Sequence, residues 1–319
     1  MKLIIHPLFR RILAITLIST ICFQLNAQNQ KHKDFEYTIK DGKKTLTKYI
    51  GNNYNINLKK DAFWNDLYEI GEDAFNGNKD IKFVILPDSL KKISSHAFYE
   101  CEKLRIIILP KNLKHIGTGS FAKCSNLQLK KLPDNLEVME EFAFWYNKKN
   151  QISKLPPKLS FINYCCFIQN NKLKNLEIGS NIKKIGTKAY SMNYGLESVV
   201  FKDGCELLEV GAFVSCKKLK KIVFPKTLKM IRFKAFYGCE SLKEVNLPES
   251  IMYLENDAFT NCPKLKTVNC YMITPPDITK LSSIFPYNIV VHVKKSEDSE
   301  IKNKYIKAGW NKYKIVEDL

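Results

Sequence analysis

A chain of 319 residues with 45% hydrophobic content can bury a large core, and a net charge of +19 excludes a strongly cationic partner. The first 27 residues hold three basic residues and no acid, so +16 stays on the remainder. Such a charge favours anionic partners such as acidic polysaccharide, lipid headgroups or nucleic acid, although lysine-rich faces also serve simply to keep a repeat protein in solution.

Residues 1–27 read as a signal peptide. Lys2, Arg10 and Arg11 make a basic start, Ile12 to Phe23 form an apolar run too short for a comfortable membrane span, and Ala27 precedes the expected cut. Leu25 departs from the small residue preferred at its position, and bulky Ile21 argues against a lipoprotein site at Cys22. The mature protein is therefore expected to be secreted or held at the cell surface, with no membrane insertion once the signal is removed. Residues 28–66 are expected to form an N-terminal cap. Their first residues, 28–34, are polar and expected to be mobile. Asp41-Gly42 between two alternating runs then predicts a β-hairpin over residues 35–50, because a type I′ turn needs positive φ at both centres.

From residue 67 to residue 274 the chain repeats itself. An aromatic recurs every 23 residues, at Phe75, Phe98, Phe121, Phe144, Phe167, Tyr190, Phe213, Phe236 and Phe259. A small residue precedes each one. Aliphatic residues recur eight and five positions before it, and again six, nine and eleven after, often closed by Pro as at Pro87 and Pro110. A fixed period of this length means a solenoid, whose units stack because none can bury a core alone. The segment Leu-x-x-Val-x-Leu-Pro is the strand. Alternation sends its ninth and eleventh residues after the aromatic inward and its eighth and tenth outward, and Pro ends it.

The unit running from Leu90 to Pro110 resembles the BspA-like (Treponema pallidum-type) leucine-rich repeats of bacterial surface and secreted proteins. The fold is thus expected to be a leucine-rich-repeat solenoid of nine 23-residue repeats, each with one short parallel strand and an irregular or 3-10 return. Residues 275–319, with a strand at 289–293, a short helix near 297–307 and then Trp310 and Tyr313, resemble the C-terminal cap of that family. The resemblance implies an adhesin-like role towards host matrix proteins or other bacteria.

Three positions after each aromatic only Asn and Cys occur: Asn78, Cys101, Cys124, Asn147, Asn170, Asn193, Cys216, Cys239 and Cys262. Interchange of Asn with Cys predicts buried side chains that hydrogen-bond a neighbouring repeat. The nine cysteines beyond the signal peptide are an odd number, and side chains stacked in parallel are poorly placed for disulfides. The expectation is unpaired structural thiols.

No metal or cofactor is expected, because no Cys-x-x-Cys occurs and a closed zinc site needs four converging ligands. No catalytic residues stand out either. The mature histidines His32, His96, His115 and His292 lie in unrelated columns, and no phosphate loop, nucleophile elbow or paired-carboxylate motif is present.

Binding is better supported. The outward columns of the first four repeats read Phe83, Ile85, Ile106, Ile108, Leu129 and Ile152, flanked by Lys82, Arg105, Lys131 and Lys154. A contiguous exposed apolar patch usually marks an interface, although β-propensity alone could place such residues there. The expected partner is a protein or an acidic polysaccharide outside the cell, with no nucleic acid. The alternatives are a self-assembling structural protein and a polyanion binder acting by charge alone. A second candidate is the set of convex-side aromatics Phe142, Trp145, Tyr146, Tyr164, Phe233 and Tyr237, which packing between turns also explains.

Overall fold

The aromatic repeat becomes one continuous stack. In the computed structural model, which describes residues 29–319, ring centroids from Phe75 to Phe259 step by 4.7–5.5 Å with planes within 8° of parallel. Parallel rings at this spacing are offset, as the aromatic quadrupole prefers. The expected signal peptide lies outside the described residues.

The main chain follows the rings. From Phe75 to Phe236 each aromatic N–H donates to the carbonyl of the small residue that precedes the next aromatic, as Phe75 to Ala97 (2.8 Å), Phe98 to Ser120 (2.8 Å) and Phe121 to Ala143 (3.0 Å), and Phe259 donates to Ile284 before Phe285 (2.8 Å). The small residue lets neighbouring turns approach closely enough for that bond. Both ends extend the stack beyond the nine rings. Tyr49 packs on Phe75 at 5.5 Å and donates its N–H to Ala74, while Phe285 packs on Phe259 at 5.3 Å. These two rings fall outside the 23-residue spacing, so counting by period does not find them.

Two parallel ladders run along the solenoid. The first is the expected strand and includes Phe83–Ile85, Ile106–Ile108, Asn175–Ile178, Ser198–Phe201, Lys221–Val223, Glu244–Leu247 and Thr267–Cys270. The second consists of two-residue strands such as Lys92–Ile93 and His115–Ile116, whose Ile is the aliphatic five before the aromatic. This second ladder lies where an irregular return is expected. Two residues are too short a run to show the alternation that marks a strand.

In all nine repeats the residues two before and two after the aromatic have positive φ, at 53–62° and 55–72°. Glycine fills only two of the nine sites in each column, at Gly119 and Gly211, and at Gly77 and Gly238. The rest hold residues as large as Phe142, Tyr146 and Met192 in a left-handed conformation that disfavours them. The inter-turn hydrogen bonds on either side hold them there.

The caps close the ladders. Strands Phe35–Lys40 and Lys43–Tyr49 form the expected hairpin, with φ of 51° at Asp41 and 70° at Gly42. Residues Gln30–His32, read from sequence as mobile, instead add a third antiparallel strand. His32 also stacks on Phe63 at 3.9 Å, and with Lys33 it reaches the Asp61 carboxylate. Those two contacts, Lys33 first, hold Asp61 well below the usual carboxylate range. At the other end, strands Val290–Val293 and Lys314–Glu317 continue the sheet in parallel register. The helix Glu300–Lys307 lies between them and buries Ile301 and Tyr305.

Seven members of the Asn/Cys column behave as the sequence implies, whereas half-buried Asn78 accepts from the Asp80 and Ile81 N–H groups of its own turn and buried Asn147 has no hydrogen-bond partner for its side chain among the described residues. Each cysteine in the column donates to the carbonyl of the aromatic one repeat earlier: Cys101 to Phe75 (3.1 Å), Cys124 to Phe98 (3.0 Å), Cys216 to Tyr190 (3.2 Å), Cys239 to Phe213 (3.5 Å) and Cys262 to Phe236 (3.4 Å). Asn170 and Asn193 send their amides to the equivalent carbonyls at 2.8 Å. The nine described cysteines are all unpaired and buried. Burial pushes the thiols of Cys101, Cys166, Cys205, Cys216 and Cys262 up to about 12.

Candidate binding surface

The first ladder presents one side chain in two to solvent, so its outward residues are fixed by strand register. Parallel pairing sets Phe83 beside Ile106 and Ile85 beside Ile108, with Val84 and Ile107 turned inward between them. Ile106 and Ile108 are 42% and 48% exposed, whereas Phe83 and Ile85 are half-buried. One strand earlier, Asn55 pairs with Phe83 and Asn57 with Ile85, which gives the apolar area a polar border.

Leu129 and Ile152 do not belong to this surface. They are only 8% and 3% exposed and turn into the core. The reason lies one residue further on. The inward position nine after the aromatic is Val or Ile in the first two repeats but Lys130 and Ser153 in the third and fourth. A lysine there cannot be buried without a partner, so the backbone turns and the aliphatic residue before it fills the core instead. Among the described residues no strand of this ladder forms in those two repeats, and only an isolated bridge from Lys154 to Glu177 remains. In the fourth repeat Asn150, which stands where other repeats have an aliphatic residue, bonds Asn170 at 2.9 Å. The polar Lys130 and Ser153 were the signal in the sequence that marks this break.

The break opens a groove of about 460 Å³ beside the exposed pair, lined by Ile108, Leu109, Lys111, Leu129, Lys131 and Pro133. Four expected residues, Phe83, Ile85, Ile106 and Ile108, are thus brought together. Leu129 survives only as a groove wall, and Ile152 is lost.

The basic flank divides in two. Lys131 pairs with Asp134 at 3.0 Å and Lys154 with Glu177 at 3.4 Å. Lys82 and Arg105 sit side by side, with the Arg105 N–H donating to the Lys82 carbonyl at 2.9 Å, and neither has an acidic partner among the described residues. The Lys82 ammonium lies 4.9 Å above the Tyr54 ring. Some lysines elsewhere are matched by acids one repeat away, as Lys114 with Glu137, Lys220 with Glu197 and Lys229 with Glu206. Lys82 and Arg105 thus place two unpaired cations beside the apolar pair, as part of an excess of 16 basic over acidic residues that is spread along the solenoid.

A second groove of about 700 Å³ lies further along, lined by Val223, Phe224, Lys226, Asn246, Pro248 and Tyr271. Sequence reading missed it: Val223 and Asn246 are outward strand residues in a column the count does find, but Lys226 and Tyr271, which close the groove beyond the strand ends, belong to no such column. Among the described residues no cluster of His, Cys, Asp and Glu could hold a metal ion, and no helix is long and apolar enough to cross a membrane.

The family model for the BspA type leucine rich repeat region matches residues 48–172 and 161–284 in six copies, most of the chain. The chain belongs to the BspA-type leucine-rich-repeat family. Comparison with curated proteins gives no match. Among solved structures, the chain is similar to a leucine rich cell surface protein from Faecalibacterium prausnitzii A2-165, with 20% identity over 92% of this chain and 99% of that one and a TM-score of 0.36. It is 24% identical to the T. pallidum leucine rich repeat protein over 75% of this chain and 91% of that one, with a TM-score of 0.38. Pneumococcal vaccine antigen PcpA gives 16% identity over 92% and 99%, with a TM-score of 0.41.

Proposed function

We propose that this BspA-type protein is an exported, non-catalytic binding module that works at the cell surface. On this reading, the sheet face of its first two repeats docks a protein or an acidic glycan. One observation carries it: Ile106 and Ile108 stand exposed in adjacent register with Phe83 and Ile85, beside the unmatched cations Lys82 and Arg105. An apolar centre rimmed by charge is the anatomy of a protein-binding surface. Two unpaired cations add attraction to carboxylate or sulfate groups at little desolvation cost, because they are already in water. The family supports a surface role, and the relative from Faecalibacterium prausnitzii is described as a cell surface protein.

The test compares wild type with Ile106→Glu/Ile108→Glu for binding to immobilised host matrix proteins and to heparin. The double variant is expected to lose matrix-protein binding by at least tenfold. Matrix binding that survives the substitutions but disappears in moderate salt would replace this reading with attraction by charge alone.

A further inference from the structure

We propose a second binding site, on the return segments around the aromatic ladder, for a neutral hexopyranose ring of a glycan. It is independent of the sheet-face reading, because no residue of that face takes part.

The site is a notch made where two small residues stand between ring-bearing neighbours in their columns. In the column two before the aromatic, Gly119 stands between His96 and Phe142. In the column one after it, Ala122 stands between Tyr99 and Trp145. Together they leave a cavity of about 450 Å³ whose walls are His96 and Tyr99 on one side and Phe142 and Trp145 on the other. The walls are braced before any ligand arrives. His96 meets Tyr99 edge to face at 5.4 Å, and Phe142 is held by Trp145 at 5.9 Å and Tyr164 at 5.1 Å. Gly119 is indispensable to the shape, because at its φ of 57° a Cβ would come 2.9 Å from the His96 ring.

The walls stand two repeats apart, roughly 10 Å at the spacing of parallel strands. A pyranose chair fits in that gap and would lie on the rings of one wall at van der Waals distance, about 3.5–4 Å, with the other wall closing over it. Planar polar groups, Asp73 and Asn76, line the cavity one repeat beyond the His96 and Tyr99 wall, within its open rim. The Asp73 carboxylate there already accepts a 2.7 Å bond from the Asn76 amide.

The charges disfavour an anion, and the two broad ring walls favour the apolar face of a sugar. The Lys123 ammonium sits 5.1 Å from the Tyr99 ring centroid and 5.4 Å from that of Trp145. Glu100 pairs with that ammonium at 2.7 Å, so the cation blocks the outer edge between the two rings and leaves Asp73 as the charge facing the notch, where it would repel an anion.

Trp145 supplies its own readout. It is half-buried, whereas Trp64 and Trp310, the other two tryptophans, are fully buried. The full-length mature protein is titrated with hexamers of glucose, mannose, galactose and N-acetylglucosamine, followed by tryptophan emission and calorimetry. At least one is expected to bind and to shift the emission. Trp145→Ala, which removes a wall, should weaken that binding by at least tenfold. Gly119→Asn should do the same, since Asn tolerates positive φ and fills the notch while the protein stays folded. Ile106→Glu/Ile108→Glu should leave it unchanged. The proposal is overturned if no hexamer binds at millimolar concentration, if both notch variants bind like wild type, if the sheet-face variant loses the sugar, or if choline binds in the notch and the sugars do not.

Discussion

The aromatic ladder and the sheet face are built from the same repeats, yet they keep the repeat to different standards. The ladder never breaks, and its ring steps stay within 4.7–5.5 Å from the first repeat to the last. The face loses its strand in the third and fourth repeats, where Lys130 and Ser153 occupy the inward slot. The stack is thus the element that holds register, and the strand is optional. It forms where a β-branched or leucine side chain can fill the inward position, and it yields where none is present. A face freed from the duty of holding register can vary its outward residues, which makes it suited to binding.

If that division is right, damage to the ladder should be felt as stability and damage to the face should not. The largest effect is expected from Phe121→Ala, about 3–5 kcal/mol in chemical denaturation, because a fully buried ring leaves a cavity between two stacked neighbours. A smaller effect of opposite sign is expected at Tyr190. Its hydroxyl is buried without a partner, so Tyr190→Phe should raise stability by about 1 kcal/mol. A loss on that change would show that the hydroxyl is satisfied. The third expectation concerns reactivity. Burial raises the folded-state pKa of the column thiols, to about 12 at Cys101, Cys216 and Cys262 and well above the usual thiol value at Cys124 and Cys239, so at pH 8 they stay protonated. Iodoacetamide at pH 8 should label none of the nine described cysteines in the native protein and all nine after unfolding. Labelling of Cys101 or Cys124 in the folded state would contradict their place in the core.

Much of this was legible because the ladder supplies a count. Counting from each ring placed Cys101 and Cys124 inside as substitutes for Asn, and Ile106 and Ile108 outside. The same count failed at Leu129 and Ile152 because a fixed offset assumes a fixed backbone, and a polar residue in the next slot changes the backbone. The left-handed sites were illegible for a different reason. Inter-turn hydrogen bonds impose positive φ on Phe142 and Met192, and the local sequence carries no glycine to announce it. The notch at Gly119 and Ala122 is an absence of side chains, and it shows only when neighbouring repeats are set side by side.

The most direct test of the division between core and face is one pair of urea unfolding curves, for Leu129→Thr and Ile106→Thr. Threonine favours strands, so propensity does not separate the two. Leu129→Thr is expected to lose about 2 kcal/mol or more, from lost burial and a buried hydroxyl, whereas Ile106→Thr should stay within about 0.5 kcal/mol of wild type. Equal losses at the two positions would contradict the account, because Leu129 and Ile106 would then belong to the same surface.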